Sequence, residues 1–289
     1  MSRLFVALQY LIPQHFLSRI VGKIAESALF KKPFIRIFIK RYKVDLSEAI
    51  IQDPDAFKNF NAFFTRELKA NARPLEDQPG AIICPADGAV SQLGSITQNQ
   101  LLQAKGRHYN LDDLLGGDEE LATLFHEGDF ATIYLSPRDY HRVHMPLGGV
   151  LQKTVYVPGD LFSVNQTTAN AVPNLFARNE RLICLFQTEA GPMALILVGA
   201  MIVAGIDTVW SGQVCPGKGL RNIQTTDYSG HTPPVTLATG AEMGRFRLGS
   251  TAIVLFGHGS IDLEPSLEAN SSVSMGQSLG KMATGDPNN

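Results

Sequence analysis

From residue 81 to residue 256 the chain is written as short apolar runs cut apart by Gly, Pro and Asp, and this rhythm limits the fold more than any other feature. The runs at 81–83, 130–135, 150–157, 182–186, 194–198, 201–206 and 251–256 have strand length and are bounded by turn formers. Runs this short lack the sustained periodicity of a helix. They predict a mainly antiparallel β core, with a helical insertion at 111–125. The uncharged stretch 191–206 is sixteen residues long and contains Gly199 and Gly205. A membrane-spanning helix needs about 20 apolar residues, so two buried strands are the better reading.

The N-terminal part follows a different period. Leu4, Leu8 and Leu11 fall at helical spacing, and Pro13 interrupts them. Phe16, Leu17, Ile20, Val21 and Ile24 resume the stripe, and a third segment with Phe34, Ile35, Ile37, Phe38 and Ile39 follows Lys31-Lys32-Pro33. Residues 44–75 read as polar and helical, ending near Pro74. The expected class is therefore α+β: a helical region over 1–75 and a β-rich catalytic domain over 76–289. The tail from about Met282 reads as disordered.

Net charge is −2, yet residues 1–43 carry nine basic side chains against the single acid Glu26, a local charge of +8 that leaves −10 for the rest. Basic amphipathic segments with aromatic residues, each too short to span a bilayer, read as helices lying in the headgroup layer of an anionic membrane. The alternative is ordinary helices packed on the protein's own core. No nucleic-acid partner is expected. Cys84, Cys184 and Cys215 form no CxxC pair and leave an odd thiol, which fits a reducing compartment. Residues 1–30 do not have the layout of a cleavable signal peptide.

Three segments carry candidate chemistry. In Leu248-Gly249-Ser250-Thr251 a small, flexible pair stands at the mouth of the last apolar run. Glycine leaves the carbonyl before Ser250 open, and the Ser250 hydroxyl is placed to attack it. Cys84-Pro85-Ala86-Asp87-Gly88 supplies a carboxylate, although Asp-Gly after a strand is ordinarily a turn. Leu135-Ser136-Pro137-Arg138-Asp139-Tyr140-His141-Arg142-Val143-His144 supplies two histidines between prolines that prevent a long helix. A serine needs a base to take its proton, and a carboxylate orients that base. Asp87, His144 and Ser250 are one such set.

With these motifs, and with Tyr156-Val157-Pro158-Gly159-Asp160-Leu161-Phe162-Ser163-Val164-Asn165 and Asn174-Leu175-Phe176-Ala177-Arg178-Asn179-Glu180-Arg181, the chain resembles the pyruvoyl-dependent phosphatidylserine decarboxylases of bacteria from about residue 4 to about residue 280. The resemblance implies self-cleavage at Gly249-Ser250. His144, oriented by Asp87, deprotonates Ser250; its oxygen attacks the Gly249 carbonyl, and elimination leaves a β chain (1–249) and an α chain (250–289) that begins with a pyruvoyl group. That cofactor then forms a Schiff base with the head-group amine and serves as the electron sink as CO2 leaves. The resemblance makes His141 the candidate proton donor and Ser163 and Asn165 candidate head-group contacts. It also implies a peripheral enzyme on the cytoplasmic side of the inner membrane, whose α and β chains form a heterodimer; a higher homo-oligomer is left open. At 222–233 the chain departs from its relatives, which puts any substrate contact there in doubt.

Rival readings are a pyruvoyl decarboxylase of a soluble amino-acid-type substrate, a Ser-His-Asp lipid hydrolase, and a membrane-tethered binding protein. The basic N-terminus argues against the first, and the absence of a Gly-x-Ser-x-Gly elbow against the second. No internal repeat, P-loop, dinucleotide fingerprint or zinc cluster is present in the sequence.

Overall fold

A computed structural model describes residues 2–29, 31–104, 106–201, 205–215, 222–247 and 250–283. Three helices open the chain: α1 (Ser2–Leu11), α2 (Gln14–Glu26) and α3 (Lys31–Tyr42). Pro13 separates the first two because it has no N–H to continue α1, while its carbonyl accepts the Leu17 N–H of α2 at 3.0 Å. Pro33 falls within the first turn of α3, where a backbone N–H has no helical partner in any case.

The polar helix expected over 44–75 is replaced by turns and one short helix, α4 (Phe60–Phe64), capped by the Asn59 side chain. Asp45 and Asp53 each accept a backbone N–H two residues on, which competes with helix formation. Phe57, Phe60, Phe63 and Phe64 are buried with Ala25 and Ile35 in a cluster of their own. Packing against α2 and α3 therefore decides the conformation here, and helical propensity does not.

The core is a nine-stranded antiparallel sheet. Its order is Gln224–Asp227, Gly149–Val157, Arg181–Thr188, Gly191–Val198, Ser250–Phe256, Asp129–Leu135, Gly88–Ser95 and Ser272–Val273, with Thr236–Leu237 also paired to Gly149–Val157. The Ser250–Phe256 strand is central and buried along its whole length. Ala252, Val254 and Phe256 enter one apolar cluster; Ile253 and Leu255 enter the cluster on the opposite face. A strand covered on both sides reads as a continuous apolar run, which is why alternation is absent from its sequence.

Beside this sheet a four-stranded sheet joins Gly212–Cys215, Ile206–Thr208, Glu242–Phe246 and Arg142–His144. A three-stranded sheet joins Ala81–Ile83, Ser278–Met282 and Ile261–Leu263. Met282 thus ends a strand, with its N–H on the Gly80 carbonyl at 2.7 Å, and only residues 284–289 of the expected disordered tail lie outside the described residues. The insertion at 111–125 forms two short helices, Leu111–Leu114 and Glu119–Thr123, parted by Gly116 and Gly117 at φ 79° and 80°. The three cysteines are buried, unpaired thiols.

Candidate active site

Ser250 is the first residue of the central strand, paired across the ladder with Leu135. It is fully buried, and its Oγ finds no hydrogen-bond partner among the described residues. Buried hydroxyls are ordinarily bonded, and the Thr132 and Thr251 hydroxyls share this condition on the same sheet. Leu248 and Gly249, the expected acyl side of the cut, lie outside the described residues.

Leu135, the ladder partner of Ser250, is one wall residue of a cavity of about 160 Å³. Leu135 and Pro137 come from one side, Ala200 and Met201 from the other, and Ser163 from a third segment. Aromatic rings complete it: Phe38 and Tyr42 of α3, Phe64 of α4 and Tyr134. The third N-terminal helix is thus part of the cavity wall.

His141 follows the turn Ser136-Pro137-Arg138-Asp139, in which Ser136 N–H donates to Asp139 Oδ2 at 2.7 Å and Asp139 N–H to the Ser136 carbonyl at 2.9 Å. Its Nδ1–H donates to the Asp139 carbonyl at 2.8 Å, so Nε2 carries the lone pair. That nitrogen is buried without a partner among the described residues. The ring packs on Phe64, a cavity residue, with centroids 4.0 Å apart. Burial lowers the His141 pKa to about 3, against the opposing hydrogen bond to Asp139, so the ring is neutral.

His144 is differently bound. Its Nδ1–H donates to the Gly240 carbonyl at 2.8 Å, and Nε2 accepts from the Tyr140 hydroxyl at 3.0 Å. Burial lowers its pKa, opposed by the Gly240 bond and by the nearby charges of Glu242 and Asp87. Burial likewise raises the Tyr140 pKa, which keeps that phenol protonated as a donor.

Asp87 makes no hydrogen bond to His144. Its carboxylate accepts from Arg73 Nε at 2.8 Å, from Arg73 Nη2 at 2.6 Å and from the Met275 N–H at 2.9 Å. Arg73 Nη1 in turn donates to Glu48 Oε2 at 2.8 Å. The hydrogen bond to Asp87 raises the Arg73 pKa, which keeps the guanidinium charged. Asp87 therefore acts on His144 through its field. The Asp-Gly pair here enters a strand and makes no hairpin turn: a Cβ at Gly88 would come within 2.2 Å of the Tyr134 carbonyl oxygen.

The two weaker candidates separate. Ser163 lines the cavity, whereas Asn165 caps the short helix Gln166–Ala169 and donates Nδ2–H to Ser163 Oγ at 2.9 Å. The Ser163 loop is held by glutamines that the sequence pattern gave no reason to single out. Gln9 Oε1 accepts the Ser163 N–H at 2.8 Å, and Gln14 Oε1 accepts the Leu161 N–H at 2.5 Å. Polar side chains buried on an apolar helix face are the one available signal for such ties.

The outer faces of α1–α3 are apolar and exposed. Leu11, Phe16 and Ile37 are 80%, 63% and 66% exposed, and Leu29 of the α2–α3 loop is 74% exposed beside them. Among the described residues no helix is long and apolar enough to cross a membrane, and no three His, Cys, Asp or Glu side chains gather as a metal-binding group.

A family model described as phosphatidylserine decarboxylase matches residues 60–281, and one described as PSD matches residues 4–43. The phosphatidylserine decarboxylase proenzyme of Ectopseudomonas mendocina is 59% identical over 282 residues, covering 96% of this chain and 98% of its own. The proenzyme of Alcanivorax borkumensis is 61% identical over 282 residues, 96% of either chain. That of Pseudomonas aeruginosa is 59% identical over 281 residues, again 96% of each.

Proposed function

This chain belongs to the phosphatidylserine decarboxylase family, and on that premise we propose how its own residues carry the reaction. It is a carboxy-lyase that converts phosphatidylserine to phosphatidylethanolamine and CO2 after maturation from a proenzyme. The observation that supports the assignment of residues is the buried Ser250 hydroxyl, without a partner among the described residues, on a strand paired with Leu135 of the aromatic cavity wall.

In maturation, Ser250 Oγ attacks the carbonyl of Gly249 and its proton passes to His144. The peptide C–N bond breaks and an ester forms between Gly249 and the serine oxygen. Loss of the Ser250 α-proton expels the Gly249 carboxylate and leaves a dehydroalanine. Water then replaces its nitrogen, ammonia departs, and residue 250 becomes a pyruvoyl group. His144 suits the base because burial keeps it neutral and the Gly240 carbonyl fixes the tautomer with a basic Nε2. Tyr140 occupies that nitrogen in the resting chain, so the hydroxyl moves aside or passes the proton on. The negative charge of Asp87, immobilised by Arg73, favours the imidazolium that results.

In turnover the pyruvoyl group supplies an electron sink next to the head-group amine. The chain's residues do the rest. The cavity holds the head group near residue 250 and excludes water, with Ser163 as a polar contact. His141 begins with a bare Nε2, so it enters as an acceptor. The proton shed by the head-group amine crosses Nε2 to the α-carbon after CO2 leaves, and burial, which disfavours the charged ring, makes it a ready donor.

The exposed apolar faces of α1–α3, with their basic residues, rest on the anionic inner leaflet, and α3 delivers lipid toward the cavity that it helps to line. The two chains stay together because residue 250 begins the central strand of the sheet. Ser250→Ala tests the assignment: it should leave one uncut chain with no decarboxylase activity, and a cut or active variant would remove Ser250 from the mechanism.

A further inference from the structure

Self-cleavage needs the Ser250 oxygen brought against one particular carbonyl, which requires the chain to be steadied on the other side of that bond as well. Arg247 is the last described residue before Ser250, two positions short of the expected cut. Its backbone N–H donates to the Gly205 carbonyl at 2.9 Å. Its Nε donates to both carboxylate oxygens of Asp207, at 3.0 and 3.1 Å. Its Nη1 donates to the carboxylate of Glu26, the last residue of α2. Asp207 is itself held in the four-stranded sheet, opposite Arg245. Asp207 is 17% and Arg247 22% exposed, whereas Glu26 is 52% exposed, so the inner carboxylate is the firmer anchor.

We propose that Arg247 is a positioning residue for self-cleavage, tying the acyl side of the 249–250 bond to the sheet through Asp207 and to α2 through Glu26. The inference rests on the reading that this bond is the one cut. The three Cα–Cα steps from Arg247 to Ser250 span at most about 11 Å, and both of these residues are anchored: Arg247 by four hydrogen bonds, Ser250 by its ladder with Leu135. Releasing one end widens the set of unproductive geometries, and a misplacement of about 1 Å costs on the order of a hundredfold in rate. Arginine suits the task because its planar fork reaches two carboxylates from different directions, which a methionine, with no donor, cannot do. The tie to α2 also places a membrane-facing helix in direct contact with the segment that matures.

The test follows maturation of the full chain made by cell-free synthesis, stopped and then sampled over time by intact mass. Wild type, Arg247→Met, Arg247→Lys, Asp207→Asn and Glu26→Gln are compared, and melting of each in a Ser250→Ala background reports the fold. Arg247→Met and Asp207→Asn should slow cutting at least about tenfold at unchanged melting temperature. Arg247→Lys should recover to within about threefold of wild type, and Glu26→Gln, which removes the exposed partner, should lose about twofold. A wild-type rate in folded Arg247→Met, or Lys no better than Met, would overturn the proposal. If Arg247→Met does not fold, Asp207→Asn decides alone: a tenfold loss supports the anchor and a wild-type rate refutes it. If wild type itself is not cut at 249–250, the self-cleavage reading fails instead, so the two failures are distinct.

Discussion

Acidification should destabilise the fold through His141 in particular. This ring is fully buried and its pKa is lowered to about 3, against about 6.5 in an unfolded chain. Above the unfolded value both states hold a neutral ring, and the group contributes nothing to pH dependence. Below it the unfolded chain binds a proton that the folded chain refuses until about pH 3, so stability falls with pH across that window. The slope is about 1.4 kcal/mol per pH unit, which amounts to about 2 kcal/mol between pH 7.5 and pH 5. Urea unfolding of uncut Ser250→Ala protein, with and without His141→Gln, measures it. The Gln variant has its own stability, but only the change with pH is compared. His144 titrates in the same direction and is present in both proteins, so it cancels. The variant should lose about 2 kcal/mol less on acidification. Equal losses in the two proteins would mean that His141 is protonated or solvated in the fold, and the bare Nε2 assigned to it would be wrong.

Replacing Asp87 by Asn should slow maturation by about tenfold, because His144 loses a favourable charge and Arg73 loses its inner partner; the ratio of precursor to products over time reads it, and a wild-type ratio would leave Asp87 a structural residue. His141→Ala should still be cut at Ser250 yet decarboxylate at least about a hundredfold more slowly, and full turnover in the cut variant would take His141 out of the reaction. Phe64→Ala should cost about 3–4 kcal/mol in urea unfolding, since the ring is buried between the α3 cluster and His141; a loss below about 1 kcal/mol would contradict that packing. Vesicles containing anionic lipid should bind the wild-type chain, with binding weakened by high salt and retaining an apolar component. Unchanged binding after deletion of residues 1–30 would reduce α1 and α2 to packing elements.

The parts of the fold that could be read in advance are those where one local rule dominates. The Ser250–Phe256 run is apolar throughout because both faces of that strand are covered, and Pro13 ends α1 because it lacks a donor. The stretch 44–75 misleads because its helix-favouring residues sit among Asp45 and Asp53 turns, and because four phenylalanines gain more from packing on α2 and α3 than from a regular helix. Ser250 and both histidines were legible as residue types in short, dense motifs. Their partners were not. Arg73 reaches Asp87 from an irregular segment, the Gly240 carbonyl orients His144 from a distant turn, and Gln9 and Gln14 tie the Ser163 loop to the first two helices. Such contacts depend on how separate segments meet in space, and no spacing within the chain encodes them.

The most direct measurement is the intact mass of the purified wild-type protein beside that of Ser250→Ala. The wild type should give two chains, residues 1–249 ending in a free carboxylate and residues 250–289 lighter by one ammonia than the fragment hydrolysis would leave. Ser250→Ala should give the single full-length mass. A single unmodified chain in active wild-type protein, or a small chain that begins with an intact serine, would contradict the account.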